Sequence, residues 1–464
     1  MEARTLKFVA DAVGGEILRG DASALVRRVC TDSRSAAAGD LFVAIKGDRF
    51  DGHDFLNEVA GKDVGAIVMA RDRQPEKPTA CAAIVVDEPR AALGQLAAAY
   101  RKQFTLPVIA VGGSNGKTTT KDLLASVLRQ KFSTLHSDAS FNNDIGVPVT
   151  LLRLEETHAV AVLEVGTNHP GELALLVNLI QPKYGVLTSI GREHLEFFGD
   201  LAGVAQEEGA LAELLPAEGK LFLNGDSEWT PTIAKRARAG VVKVGFGKTN
   251  DWRASEVRYD KSGLVFRVDG PLADFCGDFK VRLLGRHQAA NALFAIALGA
   301  ELGLSAAEIR RGLGACEPPK MRGQLWETNG VQVLDDCYNA NADSMLAALQ
   351  TLMDLPSKGR RIAVLGDMAE LGAHSETAHE EVGRGAAKLG IGQLIAVGKM
   401  AAVLARGAKA AGLNRVLEFP DVESAMLGLK NFVKAGDLVL LKASRSTRLE
   451  RIAEALRGAG ARKN

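Results

Sequence analysis

The chain has 464 residues, too many for one ordinary core, and at about 150 residues per domain it points to three domains. Its 57 Lys and Arg against 56 Asp and Glu leave a net charge of +1, which argues against a whole-chain binder of nucleic acid or of a membrane surface, since both need excess positive charge. Forty-nine glycines with only 5% aromatic residues suit tight strand–helix turns packed with small aliphatic side chains rather than an all-β sandwich.

The N-terminal stretch MEARTLKFVADAVGG reads as a short amphipathic helix ended by Gly14-Gly15. It lacks the continuous apolar core of a signal peptide, and no later stretch has the roughly 18 uncharged apolar residues of a membrane span. Five scattered cysteines (Cys30, Cys81, Cys276, Cys316 and Cys337) form no C-x-x-C pair. That argues against disulfides and structural zinc and for a reducing cytoplasm.

Short apolar runs then alternate with helical patterns, the signature of parallel α/β architecture. Strands are expected at Leu41–Ile45, Ala66–Met69 and Ala83–Val86, and a helix from Arg90 to Gln103. A break near Leu106-Pro107 precedes the strand Val108–Val111, a glycine-rich loop and the helix Thr119–Lys131. Strands follow at Ala159–Glu164, Tyr184–Ser189 and Leu221–Asn224, a hairpin or meander at Trp252–Val268 turning at Lys261-Ser262-Gly263, and helices at Gln288–Leu302 and Ala306–Gly312. After Pro318-Pro319 the rhythm resumes: Val331–Asp335, Ser344–Met353, Ile362–Leu365, Glu376–Leu389, Leu394–Val397, a helix after Lys399, Leu438–Leu441, and a last helix from Thr447. The breaks divide the chain into 1–106, 107–317 and 318–464.

The sharpest local signal is Val108-Ile-Ala-Val-Gly112-Gly113-Ser114-Asn115-Gly116-Lys117-Thr118-Thr119. A strand, a glycine loop and a helix start let backbone N–H groups close around phosphate, with the helix N-terminus adding positive potential. Lys117 would bridge the β- and γ-phosphates and the Thr118 hydroxyl would ligate Mg²⁺. The form is Gly113-x-x-Gly116-Lys117-Thr118, shorter than G-x-x-x-x-G-K-[ST]. Dinucleotide binding needs G-x-G-x-x-G between strand and helix. The loop does not fit it, and Gly383-Arg-Gly385-Ala-Ala-Lys388 lacks the third glycine and lies within a helical pattern. Phosphoryl transfer also needs an acid at a neighbouring strand end; Glu164 closes the apolar run Ala159-Val-Ala-Val-Leu. His194, after the next strand, is a candidate for a second metal through neutral imidazole.

Taken in order, these pieces resemble the Mur ligase family over essentially the whole chain. Thr31-Asp-Ser33-Arg34, Gly39–Gly47 and Asp51-Gly-His53 are similar to its UDP-sugar-binding first domain. Ser140-Phe-Asn142-Asn143-Asp-Ile-Gly146 resembles the loop facing acceptor and metals, and Gly285-Arg-His287-Gln-Ala-Ala-Asn291 the segment whose asparagine contacts adenine. Asp335-Asp336-Cys-Tyr338-Asn339-Ala-Asn341-Ala-Asp-Ser344-Met is close to the D-D-x-Y-N-A-N-P-D-S-M of the members that add a dipeptide. Gly366–Gly372 and Lys442-Ala-Ser444-Arg445 complete the third domain.

The resemblance implies three α/β domains: an N-terminal UDP-binding domain, a central P-loop ATPase domain with a parallel sheet and a small β meander, and a Rossmann-like C-terminal domain. It implies a monomer with ATP and Mg²⁺ as cofactors. ATP would activate the terminal carboxylate of a UDP-linked muramoyl tripeptide for attack by D-alanyl-D-alanine, through an acyl phosphate. Arg322 would reach the phosphates from the third domain and Asp336 the ribose. Ser33 and Arg34 would contact the UDP moiety; Tyr338, Asn339 and Asn341 would face dipeptide or nucleotide. The family's carbamylated lysine, which binds the second Mg²⁺, aligns with Glu208. This glutamate is expected to offer a carboxylate without CO₂, with Glu207 the near rival. Ala342 replaces the motif's proline and is expected to loosen a loop, Cys337 reads as a small core residue, and Gln288 stands where asparagine is common. The D-N-P-R or D-D-P-R string of the sister ligase that adds diaminopimelate or lysine is missing; Asp87-Glu-Pro89-Arg90 lies in the first domain instead. Folate polyglutamate ligases share the P-loop without this first domain. A non-catalytic nucleotide-regulated module is the remaining alternative, opposed by Lys117, Thr118, Glu164 and His194.

Overall fold

The computed structural model describes residues 1–47, 49–74, 81–260 and 263–461. Three large sheets succeed one another along the chain. The first runs Glu16–Arg19, Ala82–Val86, Ala66–Ala70, Asp40–Val43, Arg28–Cys30, parallel except for its first pair. Its inner strands are continuous apolar runs because both faces are covered. Leu41, Val43, Val68 and Ile84 face the helices Leu6–Val13 and Pro89–Arg101. Phe42, Ile67, Met69 and Val85 face the short helix Leu56–Ala60. The N-terminal helix stops at Gly14, whose φ is +59°.

The second sheet places Val108–Gly112 between Val160–Glu164 and Tyr184–Leu187, all parallel. Lys220–Asn224 and Gly240–Gly245 extend it, and Trp252–Asp260, Gly263–Asp269 and Gly277–Val281 end it as an antiparallel meander. The turn residues Lys261 and Ser262 lie outside the described residues. Ile109 and Val111 pack beneath helices Lys117–Leu128 and His287–Glu301, while Val108 and Ala110 join the core shared with the first domain. Tyr100 seals that junction by donating to the Leu154 carbonyl at 2.7 Å, and Arg101 does so by donating to the Ile180 carbonyl at 2.9 Å.

The third sheet runs Gln324–Thr328, Val331–Asp335, Leu438–Lys442, Arg361–Leu365, Gln393–Val397, Val416–Phe419, and only its first pair is antiparallel. Helices Ala342–Asp354, Ser375–Lys388 and Ala401–Ala410 cover one face, and Val422–Phe432 with Glu450–Ala461 the other. The last helix starts at Glu450 rather than Thr447, because Arg445–Thr447 forms a 3₁₀ turn and Arg448 takes a φ of +57°. Glycines 383 and 385 lie inside a helix, as the pattern predicts. Among the described residues no helix is long and apolar enough to cross a membrane.

Candidate active site

Because Val108–Gly112 is flanked on both sides by parallel strands, three carboxyl ends lie side by side, the edge where open α/β sheets bind ligands. The loop after Gly112 turns through Gly113 at φ +107° and Gly116 at φ +87°. A Cβ at Gly113 would lie 2.6 Å from Thr188 Oγ1, and one at Gly116 would lie 2.6 Å from Asn291 Oδ1. Only glycine meets both demands. The loop is laced to the next strand end: Ser114 N donates to Ser189 O at 2.8 Å, and Gly191 N to Ser114 Oγ at 2.8 Å. Helix Lys117–Leu128 then begins, with Gly116 at its cap.

Lys117 Nζ donates to Gly113 O at 2.5 Å and to Glu193 Oε2 at 3.2 Å. Burial works against its ammonium, but the carboxylates of Glu193, Glu208 and Glu164 outweigh it and raise the pKa. Glu164 is 1% exposed, and its Oε1 accepts from Asn142 Nδ2 at 2.9 Å. Glu208, fully buried, accepts from Gly113 N through Oε2 at 2.8 Å. Burial, and then the charge of Glu193, pushes its pKa up to about 8. Glu207 points elsewhere: Gly171 N, Leu173 N and Thr167 Oγ1 all donate to it. It caps the helix Glu172–Ile180 and is satisfied there.

Three oxygens around Lys117 are buried without a hydrogen-bond partner: Glu164 Oε2, Glu208 Oε1 and Thr118 Oγ1. Such hard donors, unmatched by any N–H, fit divalent magnesium. No three His, Cys, Asp or Glu side chains converge on one point among the described residues, so the candidate ligands are spread around the loop rather than gathered in one cluster. His194 caps the short helix Leu195–Phe198, and its Nδ1 lies 2.5 Å from Glu370 Oε2. The contact is close but not aligned as a hydrogen bond; a carboxylate at one ring nitrogen still leaves the other for a cation.

The loop opens on a cavity of about 550 Å³ lined from both the second and third domains. Asn291 and Gln288 line it, with Asn291 Nδ2 donating to Gln288 Oε1 at 2.9 Å. Arg322 stacks 4.0 Å over the Tyr338 ring and donates to Ser140 Oγ at 3.2 Å. Asp336 is held by the buried Lys442 at 2.6 Å, which also donates to Asn339 O. Asn341 caps the helix Ala342–Asp354 and donates to Asn115 Oδ1 at 3.0 Å. A second cavity of about 260 Å³ adjoins the first at Lys117 and takes in Arg90 of the first domain with Asn142, Asn143 and His194. Asn143 Oδ1 is occupied by Gly146 N at 2.9 Å. Ser33 and Arg34 line neither cavity; Arg34 is an exposed partner of Asp32 in a separate 3₁₀ turn.

The three segments match, in order, the Mur ligase family catalytic domain at residues 25–101, the Mur ligase middle domain at 111–299 and the Mur ligase glutamate ligase domain at 321–445. The chain belongs to the Mur ligase family. It is 36% identical to the UDP-N-acetylmuramoyl-tripeptide–D-alanyl-D-alanine ligase of Escherichia coli (strain K12), over 98% of this chain and 99% of that one. A crystal structure of MurF from Acinetobacter baumannii superposes with a TM-score of 0.90 at 31% identity, covering 98% of this chain and 99% of that one. The MurF ligase of Thermotoga maritima in complex with ADP gives 0.81 at 26%, covering 95% and 99%. Within this Mur ligase the Ala342 expectation needs correction. The residue is not in a loop but opens a helix capped by Asn341, where proline is favoured but alanine is a good helix former. Cys337 is fully buried, as expected of a core residue, with Sγ 2.8 Å from Asp335 Oδ1. Sequence reasoning missed Arg192, Glu193 and Glu370, although Arg192-Glu193-His194 is a run of three ionisable residues in the loop that follows the strand Tyr184–Leu187.

Proposed function

We propose that this Mur ligase joins D-alanyl-D-alanine to UDP-N-acetylmuramoyl-tripeptide with cleavage of ATP to ADP and phosphate, as a monomer in the cytoplasm. The observation that carries the reading is the cavity shared by the phosphate loop and the 335–345 segment, next to a second cavity that takes in Arg90 of the first domain. Residues 1–106 would hold the UDP-sugar through Ser33 and Arg34, 107–317 the ATP, and 318–464 the dipeptide.

The chemical difficulty is bringing a carboxylate to a triphosphate. Backbone N–H groups of Gly112–Thr118 and the Lys117 ammonium offset the phosphate charge. Mg²⁺, when bound, supplies further positive charge there; Thr118 and Glu164 would hold one ion, His194 and Glu208 the other. The tripeptide carboxylate attacks the γ-phosphorus as ADP leaves. The neutral dipeptide amine then attacks the acyl carbon, and the tetrahedral intermediate collapses to the amide as its C–O bond to phosphate breaks and the amine proton leaves with the phosphate. Asn291 faces the adenine, Asp336 accepts from the ribose hydroxyls, and Arg322 reaches the phosphates. Asn142 orients Glu164, Asn143 shapes the acceptor loop, and Tyr338, Asn339 and Asn341 line the dipeptide side. Closure of the third domain excludes water from the acyl phosphate.

The test is phosphate release from ATP. It should require both UDP-N-acetylmuramoyl-tripeptide and D-alanyl-D-alanine. Stimulation by diaminopimelate or lysine with the dipeptide precursor instead would assign the sister reaction, and no release under any pairing would leave a nucleotide-regulated binding module.

A further inference from the structure

Three consecutive residues after the second-sheet strand Tyr184–Leu187 face four charged partners. Arg192 grips the third domain: its backbone N donates to Asp343 Oδ2 at 2.8 Å, its Nε and Nη2 to Asp343 Oδ1 at 3.0 and 2.6 Å. Its Nη1 and Nη2 also reach Glu381 at 2.5 and 3.1 Å. Asp343 lies in the first turn of Ala342–Asp354 and Glu381 on Ser375–Lys388, so one guanidinium clamps two helices of that domain. Glu193, the next residue, faces the other way and accepts from Lys117 Nζ at 3.2 Å. His194 meets Glu370, again from the third domain.

The backbone between these grips has little freedom. Gly191 N is held by Ser114 Oγ, and Glu193 N donates to Gly191 O at 2.9 Å. A Cβ at Gly191 would lie 2.9 Å from Asp343 Oδ2 and 3.1 Å from Asn115 Nδ2. Glycine therefore lets phosphate loop and third domain close to van der Waals contact. A shift of the third domain acts on Arg192, and through one peptide unit on the carboxylate that holds the phosphate-loop lysine. The pairs are charge-assisted, and Lys117 and Glu193 are largely shielded from water, which strengthens their hold.

We propose that Arg192 and Glu193 form a strap through which docking of the third domain positions Lys117, with Glu193 as a positioning residue for that lysine. The proposal rests on the ATP site assigned above. Lys117 in this arrangement is turned toward its own loop carbonyl at 2.5 Å, and Glu193 limits how far the ammonium swings when phosphate arrives. Removing Glu193 takes a negative charge away from beside the loop, so ground-state nucleotide binding survives while the lysine loses its place for transfer.

The test is a double-mutant cycle on the full chain with Glu193→Ala, Arg192→Met and the pair. ADP affinity is read by calorimetric titration, and kcat and KM by phosphate release. Expected are ADP affinities within about threefold of wild type, kcat lowered at least tenfold in each single variant, and a double variant no slower than the slower single one. Glu193→Asp, which keeps the charge, should restore most of kcat, whereas a purely packing role would not distinguish it from Glu193→Ala. Melting curves confirm that each variant folds; where Arg192→Met does not, the Glu193→Asp and Glu193→Ala pair decides alone. Fully multiplicative losses, or a Glu193→Ala variant with wild-type kcat, would overturn the strap. Wild-type phosphate release that ignores both substrates would instead overturn the underlying assignment of the site.

Discussion

Glu207 and Glu208 end the same helix, Leu201–Glu208, yet their replacement has opposite expected consequences. The Glu207 carboxylate takes Gly171 N at 2.8 Å, Leu173 N at 2.9 Å and Thr167 Oγ1 at 3.1 Å, and is 9% exposed. Glu207→Ala strands two backbone donors at the start of the helix Glu172–Ile180 and removes a negative charge from its positive end. Hydrogen bonds to a charged group contribute about 1.5–3 kcal/mol each. Water entering the vacated space recovers part of this, so the net loss is about 3 kcal/mol. For a unfolding unit of roughly 150–250 residues, each kcal/mol shifts Tm by about 2–4 °C, which gives a drop of about 6–12 °C. Phosphate release below the transition should keep its Mg²⁺ dependence.

Glu208→Gln should do the reverse. The amide oxygen still accepts from Gly113 N, and an amide buries no charge, like the largely protonated carboxyl that a pKa of about 8 gives the metal-free site near pH 7. Melting in EDTA should therefore show no loss of stability. The half-saturating Mg²⁺ concentration should rise about tenfold or more, since roughly 1.4 kcal/mol of lost attraction is enough for that factor, and turnover should fall. Thermal melts with and without EDTA, paired with Mg²⁺ titrations of phosphate release, separate the two residues. An unchanged Mg²⁺ dependence and turnover in Glu208→Gln would refute its assignment as a metal ligand, and a Tm drop below about 2 °C in Glu207→Ala would refute the capping argument.

Gly116→Ala places a Cβ 2.6 Å from Asn291 Oδ1 at a φ of +87°, a conformation costing a side chain about 1–2 kcal/mol; ADP affinity in a calorimetric titration should fall more than tenfold. Gly383→Ala brings a Cβ to 2.1 Å from Leu404 O, where helices Ser375–Lys388 and Ala401–Ala410 cross. Overpacking of this kind costs about 1–3 kcal/mol, which should lower the urea midpoint without changing KM for ATP. His136 has its pKa lowered from 6.5 to about 4 by burial and then by Arg129 and Lys121. The unfolded chain therefore binds the extra proton between those values, and stability falls as pH drops through that window. Urea midpoints at pH 7 and pH 5 should differ less in His136→Gln than in wild type.

Where both faces of a strand are covered, the residues alone reveal it. Ala66–Ala70 is an unbroken apolar run and Leu438–Lys442 is apolar up to its last residue, and the structure places both inside their sheets. The edge strands Thr134–His136 and Val416–Phe419 and the interior strand Gly240–Gly245 escaped because the first is only three residues long and the other two mix buried or half-buried with exposed side chains without a period of their own; pairing with a neighbour, not composition, makes them strands. The phosphate loop was legible because strand, glycines and helix start are consecutive. Glu193 was not, since its partner Lys117 lies 76 positions away, and the acidic partners of Arg192 lie 151 and 189 away. The same distance explains how a net charge of +1 conceals the site's electrostatics. Folding collects Glu164, Glu193 and Glu208 from separate segments around one lysine, creating a local excess of negative charge that no window of sequence displays. That excess works against an approaching phosphate, which is the charge problem the proposed Mg²⁺ would relieve.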